Sequence, residues 1–303
     1  MAILEGKVVA VTGAGNGIGR AIAIECAQQG ALVVVNDYGV TADGEASDDS
    51  PAGRVVAEIE AAGGKAVANF ANIADPVQAA SIIEDGVKAF GRIDGVVNCA
   101  GILRDRIFHK LSQQDWDMVI NVNLNGYFYV AKAAANYFRD QGSGSYVHFS
   151  SSSGVIGNFG QANYSAAKMG VVGLSNSIAL DMQRFGVRSN CILPFAWSRM
   201  TATIPTDTEE GRARVEKVKQ MTPEKISPLV AYLLSDKAEG VTGQILAVRK
   251  DEIFLMRRPE IHRSMHRQGG WDVDSIENEL MPALKPSMGP LLRSPDVWSW
   301  DPM

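Results

Sequence analysis

Tyr164 and Lys168 stand four positions apart in "NYSAAK" (163–168). Residues at i and i+4 share a helix face, so a phenol and an ammonium can point together at one group. A phenol titrates near pH 10, so work as a base near pH 7 needs a shift of about 3 units, or about 4 kcal/mol. One cation at about 4 Å across an effective dielectric of about 20 supplies that much. The pair therefore suits proton transfer to or from an alcohol oxygen. A plain surface pair has the same spacing, and the rest of the chain must decide between them. Upstream, "HFSSSSG" (148–154) ends an apolar run with hydroxyls that can hydrogen-bond a reacting oxygen. Composition does not choose among Ser150, Ser151, Ser152 and Ser153.

A second constellation lies near the start, in "VTGAGNGIG" (11–19). Glycine at 13, 17 and 19 allows a tight turn and close approach to a ligand. Free N–H groups and the positive end of a helix dipole there favour a pyrophosphate. Asp37 closes the next apolar run, and its carboxylate can accept hydrogen bonds from the adenine ribose while repelling a 2′-phosphate. No Lys or Arg occurs in "AGN" or "NDYG" to receive such a phosphate. This points to NAD rather than NADP.

The elements that must carry these groups alternate along the chain. Strand-like runs cover 7–13, 31–37, 65–70, 93–101, 145–151 and 187–194; helical patterns cover 17–30, 53–64, 112–140 and 161–185. Alternation of this kind predicts right-handed βαβ units: an α/β fold with a single Rossmann-type, doubly wound parallel sheet. The expected domain is 1–249, with the polar stretch 197–222 as a substrate lid. Residues 250–303 form a C-terminal extension that packs on the domain or on a neighbouring subunit.

The bulk numbers set limits. With 303 residues, 46% hydrophobic and 21% charged, the chain can bury a sizeable core. A net charge of −5 argues against nucleic acid as a partner. Cys26, Cys99 and Cys191 are far apart and odd in number, which disfavours a disulfide scaffold or zinc site and suits a reducing compartment. "MAILEGKVVAVTG" does not read as a signal peptide, no run approaches a membrane span, and "WSWDPM" is no peroxisomal address. The expectation is a cytoplasmic protein without membrane association.

Taken in order, these motifs resemble the short-chain dehydrogenase/reductase family over roughly residues 3 to 248. The resemblance rests on TGxxxGxG (Thr12, Gly13, Gly17, Gly19), "NCAG" (98–101), Asn123, a serine and YxxxK. It implies an NAD-dependent oxidoreductase acting on a secondary alcohol. Family spacing, thirteen before the tyrosine and three before Gly154, selects Ser151 as the catalytic serine. Tyr164 then takes the alcohol proton while hydride leaves to NAD, Ser151 holds the oxygen, and Lys168 binds the nicotinamide ribose and lowers the tyrosine pKa. Asn123 bends its helix and anchors a relay water. The implied cofactor contacts are Gly13, Asn16, Gly17, Ile18, Gly19, Asp37, Asn72, Ile73, Asn98, Ala100, Gly101, Tyr164, Lys168, Pro194 and Ser198, with no metal.

Some positions depart from the family pattern. Cys99 replaces the second Asn of NNAG and reads as a small core residue. Phe195 stands where the family has Gly after Pro194, so Ser198 takes over the hydroxyl near the carboxamide. Asn72 replaces a common Asp facing the adenine.

Within the family, "NCAGILRDRIFHKLSQQDWD", "GNFGQANYSAAK" and "SRMT" are most similar to the (3R)-hydroxyacyl-CoA dehydrogenase part of peroxisomal multifunctional enzymes. They also resemble the stand-alone bacterial 17β-hydroxysteroid dehydrogenase type 4-like relatives. That implies oxidation of a 3-hydroxyacyl-CoA to the 3-ketoacyl-CoA in fatty-acid or steroid side-chain β-oxidation. Residues 249–268 hold six Arg/Lys and three Asp/Glu, with His262 and His266, and can be read as a cationic patch for CoA phosphates or as a packing segment. Small residues Ala162, Ala166, Gly170 and Gly173 on one helix are consistent with a homodimer or homotetramer. Three alternatives stay open: a dehydrogenase of a free hydroxysteroid or other alcohol, an acyl-carrier-protein ketoreductase, and a non-catalytic NAD-binding sensor or scaffold.

Overall fold

The computed structural model describes residues 2–39, 50–197 and 208–303. Its apolar runs form one sheet: β1 (Val8–Thr12), β2 (Leu32–Asn36), β3 (Lys65–Asn69), β4 (Gly95–Asn98), β5 (Gly144–Phe149), β6 (Val187–Phe195), β7 (Ile245–Arg249) and β8 (Glu252–Met256). The order across the sheet is β3-β2-β1-β4-β5-β6-β7-β8. Strands β1 to β7 are parallel, and β8 turns back antiparallel on β7.

The helices are α1 (Gly17–Gln28), α2 (Pro51–Ala61), α3 (Pro76–Phe90), α4 (Gln113–Ile120), α5 (Gly126–Gln141), α6 (Ser152–Val155), α7 (Ala162–Met182), α8 (Glu209–Lys219) and α9 (Ser227–Leu234). They cover both faces of the sheet. On one side Val9, Val11, Val33 and Val35 pack with Ile22 of α1, Val55 of α2 and Val230 of α9. On the other, Val8, Ala10 and Val34 pack with Ile82 of α3, Val130 of α5 and Val171 of α7. Because both faces are dry, β1 is buried at every position and reads as a continuous apolar run instead of an alternating one.

β1 has β2 on one side and β4 on the other. The winding reverses between them, and a crevice opens beyond their carboxyl ends. Every candidate site residue on a strand end therefore falls on one rim.

Two features differ from the sequence expectation. The pattern over 112–140 reads as one helix, but a π turn at Asn121–Asn125 separates α4 from α5. The side chain of Asn123 within it bonds to a neighbouring segment and not along the helix, as described below. Strands β7 and β8 were not expected. Their hairpin turns through Lys250–Asp251, with Lys250 at φ 56°. No Asn-Gly or Asp-Gly announces such a turn, so the sequence carries no hairpin signal there. Beyond β8 the extension runs through short helical turns at Val273–Ser275, Met281–Leu284 and Ser294–Val297. Of the expected lid, α8 is described, while 198–207 lie outside the described residues.

Candidate active site

The Gly-rich turn between β1 and α1 is a space that side chains would fill. A Cβ on Gly13 would sit 2.7 Å from the Ala100 Cα, and one on Gly19 would sit 2.2 Å from the Gly13 carbonyl oxygen. Gly17 has φ 52°, in the left-handed region. α1 starts after Asn16 with no side-chain cap, so the N–H groups of Gly17, Ile18 and Gly19 face the crevice end of the helix dipole. Asp37 is tied to this turn: its carboxylate accepts from the Gly15 N–H at 2.8 Å and the Gly39 N–H at 2.9 Å. Two fixed N–H partners leave acceptor capacity on the same oxygens for ribose hydroxyls. A glycine cradle, a helix N-terminus and an oriented carboxylate fit a dinucleotide.

The turn after β4 forms the opposite wall. Thr12 Oγ1 accepts from the Cys99 and Ala100 N–H groups at 3.1 and 3.2 Å, which holds that turn against β1. Asn98 spends its amide inward, donating to the Tyr127 carbonyl at 3.2 Å and meeting His148 Nδ1 at 3.1 Å. Its side chain therefore anchors the strand end, and Ala100 and Gly101 border the crevice. Cys99 is half-buried, and desolvation pushes its thiol up to about 12. Ile73 is buried and packs on Gly126, where a Cβ would lie 2.8 Å from its Cδ1. Asn72 Oδ1 accepts from the Ala74 N–H at 2.9 Å. Pro194 lies on β6 opposite Val248. Ser198 lies outside the described residues.

The four hydroxyls of "SSSS" separate by partner. Ser150 Oγ donates to the Lys168 carbonyl at 2.7 Å. Ser152 Oγ accepts from Ser294 at 2.6 Å. Ser151 caps α6, its Oγ accepting from the Ser153 N–H at 3.1 Å, and of the four hydroxyls it is the one that pulls the Tyr164 phenol down. Asn163, fully buried, donates to the Arg104 carbonyl at 3.0 Å and accepts from the Tyr164 N–H at 2.8 Å, so it fixes the start of α7.

Lys168 is buried, with Nζ 5.6 Å from the Tyr164 ring centroid. It donates to the Phe149 carbonyl at 2.8 Å and to Tyr127 Oη at 3.0 Å. The lowering of the tyrosine pKa expected from this lysine concerns the cofactor-bound site; in the ligand-free chain another influence is larger. Burial dominates instead, lifting the phenol to about 12 against the pull of Ser151. The same burial brings the lysine down to about 8. Asn123 is braced on both sides of its amide by the Ile102 backbone, at 3.0 and 2.9 Å. Its side chain therefore joins the π turn to the segment after β4.

Sequence reasoning missed Tyr127, Asn163 and Asp105. Asp105, held by Gln161 at 2.9 Å, is raised by burial and raises the phenol in turn. No motif spacing marks these residues, because each reaches the site through tertiary contacts. The cations of 249–268 are largely engaged inside the extension. Arg257 pairs with Glu260, Arg267 with Asp272 and Glu279, and Arg249 with Glu252. Arg263 donates to the Ala283 carbonyl and to Ser287. Among the described residues no helix is long and apolar enough to cross a membrane.

Residues 13–250 match the family model described as enoyl-(acyl carrier protein) reductase. The peroxisomal multifunctional enzyme type 2 of Mus musculus is 46% identical over 241 residues, covering 79% of this chain and 31% of that enzyme. The chain thus spans about a third of the length of that relative. Hydroxyacyl-CoA dehydrogenase ChsB1 of Mycobacterium tuberculosis is 39% identical over 285 residues, covering 89% of this chain and 86% of the relative. A solved short chain dehydrogenase from Mycobacterium avium superposes with a TM-score of 0.82 at 39% identity, over 96% of this chain and 98% of that one. With a family model over most of its length and relatives matched nearly end to end, the chain belongs to the short-chain dehydrogenase/reductase family.

Proposed function

We propose that this oxidoreductase oxidises the 3-hydroxyl of an acyl-CoA thioester to the ketone, with NAD as its nicotinamide cofactor. The observation that carries the reading is the half-buried Ser151 and Tyr164 beside the buried Lys168, next to a glycine cradle, with Asp37 directly after the following strand. The choice of thioester is supported by ChsB1 and the multifunctional enzyme, matched at 39% and 46% identity. The choice of NAD is supported by Asp37, which offers a second negative charge no favourable place beside the ribose.

In this reading the Gly-rich turn and α1 hold the pyrophosphate, Asp37 the adenine ribose, and Lys168 the nicotinamide ribose. When bound, oxidised nicotinamide supplies the hydride acceptor and one positive charge. Ser151 donates to the substrate oxygen, and Tyr164 Oη accepts the alcohol proton. A phenol at about 12 in the ligand-free chain must be lowered for this work. Added positive charge in a dry cleft acts in that direction. Lys168 leaves Tyr127 or keeps it as a second partner while its remaining N–H groups turn to the ribose. Two buried thiols, Cys26 and Cys191, and no disulfide among the described residues support a cytoplasmic setting. Exposed Phe128, Tyr137, Met169 and Leu180 on α5 and α7 support a homodimer or homotetramer.

The test is NADH formation from matched pairs: a (3R)-hydroxyacyl-CoA against its free acid, and a steroid-side-chain CoA ester against the free hydroxysteroid. Turnover of the esters alone is expected. Equal or better turnover of the free alcohols would remove the thioester from the reading and leave an NAD-dependent alcohol dehydrogenase.

A further inference from the structure

The extension has one stretch that returns to the cleft. Ser294 Oγ donates to Ser152 Oγ at 2.6 Å, in a contact spanning 142 residues, and the Ser294 N–H donates to the Gly157 carbonyl at 2.9 Å. These two bonds hold α6 at its first residue and just past its last. The guanidinium of Arg293 lies 5.3 Å from the ring centroid of Phe159. Four residues after Ser294, Trp298 is buried against Phe195, with ring centroids 4.8 Å apart, and against Phe254 of β8 at 6.1 Å.

The elements held in this way are the ones that shape the substrate side. α6 is capped by Ser151 and lies hard on α7: a Cβ on Gly154 would meet the Met169 nitrogen at 2.8 Å and the Lys168 carbonyl carbon at 2.9 Å. Pressure on α6 from the extension is therefore passed to the backbone that carries Lys168. Phe195 stands at the end of β6, where it leads into the segment expected to cover the substrate. An aromatic ring in that place needs an apolar partner, and Trp298 provides it.

We propose that Arg293–Trp298 is a positioning element of the substrate site. It clamps the loop after β5 and the end of β6 from behind, sets the Ser151 hydroxyl against Tyr164, and fixes the wall that meets the acyl chain. This rests on the reading of Ser151 and Tyr164 as the reacting pair. The segment acts through Ser152, Gly157, Phe159 and Phe195, and not by touching the nucleotide turn.

The test uses the full chain with Ser294→Ala, Trp298→Ala and Trp298→Phe. Three readouts are taken: hydrogen exchange at 151–159 and 195–197, kcat and KM for the hydroxyacyl-CoA, and the Kd of NADH. Loss of one buried hydrogen bond or ring contact should lower kcat/KM roughly 10-fold and speed exchange in both segments by a similar factor. NADH affinity should stay within about two-fold, since the Gly-rich turn is untouched. Trp298→Phe should restore most of the loss. Combining Trp298→Ala with Phe195→Gly should cost less than the sum of the two, as expected for direct partners.

Unchanged exchange in both segments overturns the proposal, as does an equal loss of NADH affinity, which would mark general destabilisation. Ser294→Ala removes a single hydroxyl and keeps the test open if Trp298→Ala does not fold. If the wild-type chain turns over no hydroxyacyl-CoA, the functional reading fails separately, and the exchange data still decide the clamp.

Discussion

The turn after β1 and the segment after β5, with the helix that follows it, border one cleft, yet they are made of different material. The first is backbone: glycines placed where a Cβ would strike Ala100 or the Gly13 carbonyl, and N–H groups at the start of α1. Its parts lie within nine consecutive residues. The second is side chains drawn from distant elements: the Tyr164–Lys168 pair of one helix meets Ser151 and Tyr127 only in the fold, and Ser294 reaches the neighbouring Ser152. In the proposed function nucleotide binding thus rests on a local turn, whereas proton transfer depends on groups whose pKa values are moved by burial.

The sharpest way to separate the two regions is Tyr164→Phe. With the phenol gone, turnover should fall by about 10²–10⁴-fold, while NADH affinity measured by fluorescence stays near wild type. Retained turnover would break the proposed division of labour.

A second separation uses pH. Burial brings the Lys168 ammonium down to about 8 in the folded, ligand-free chain, against 10.5 for a free lysine. Between those values the unfolded chain binds more protons, so stability rises with pH, and the gain is about 3 kcal/mol once both are passed. Tyr164 acts the other way, since its folded value of about 12 exceeds 10.0, and stability falls across that window. Urea midpoints followed upward from neutral pH should show the rise in wild type. Lys168→Met should lack the rise and keep the later fall; parallel curves would place the low pKa on another group.

The smallest effect is expected in the backbone region. Gly19→Ala forces a methyl against the Gly13 carbonyl and should cost about 1–3 kcal/mol of stability, with weaker NADH binding. Hydrogen exchange at 151–159 should not change. If it did, the two regions would be more tightly coupled than their construction suggests.

Much of the nucleotide side was legible because its signals are local. Thr12, Gly13, Gly17, Gly19 and Asp37 follow strand ends at readable spacing. The order of strands and helices was legible too, since both sheet faces are covered and the strands read as unbroken apolar runs. β8 was not, because its turn relies on Lys250 at positive φ and not on a glycine. The π turn was hidden inside an ordinary helical pattern, since Asn123 is fixed by Ile102, 21 residues away. The electrostatics were not legible: spacing put Lys168 beside Tyr164 but could not show how burial moves either group in the ligand-free chain.

The sequence by itself determined the first six strands, the glycine cradle and the helix face shared by Tyr164 and Lys168, because each depends on neighbours within a turn or on a short apolar period. Tertiary structure alone decided what each of the four serines bonds to, how far burial moves the phenol and the ammonium from their solution values, and which elements the extension packs on. Those outcomes depend on solvent exclusion and on contacts between residues far apart in the chain, and neither is written in local spacing.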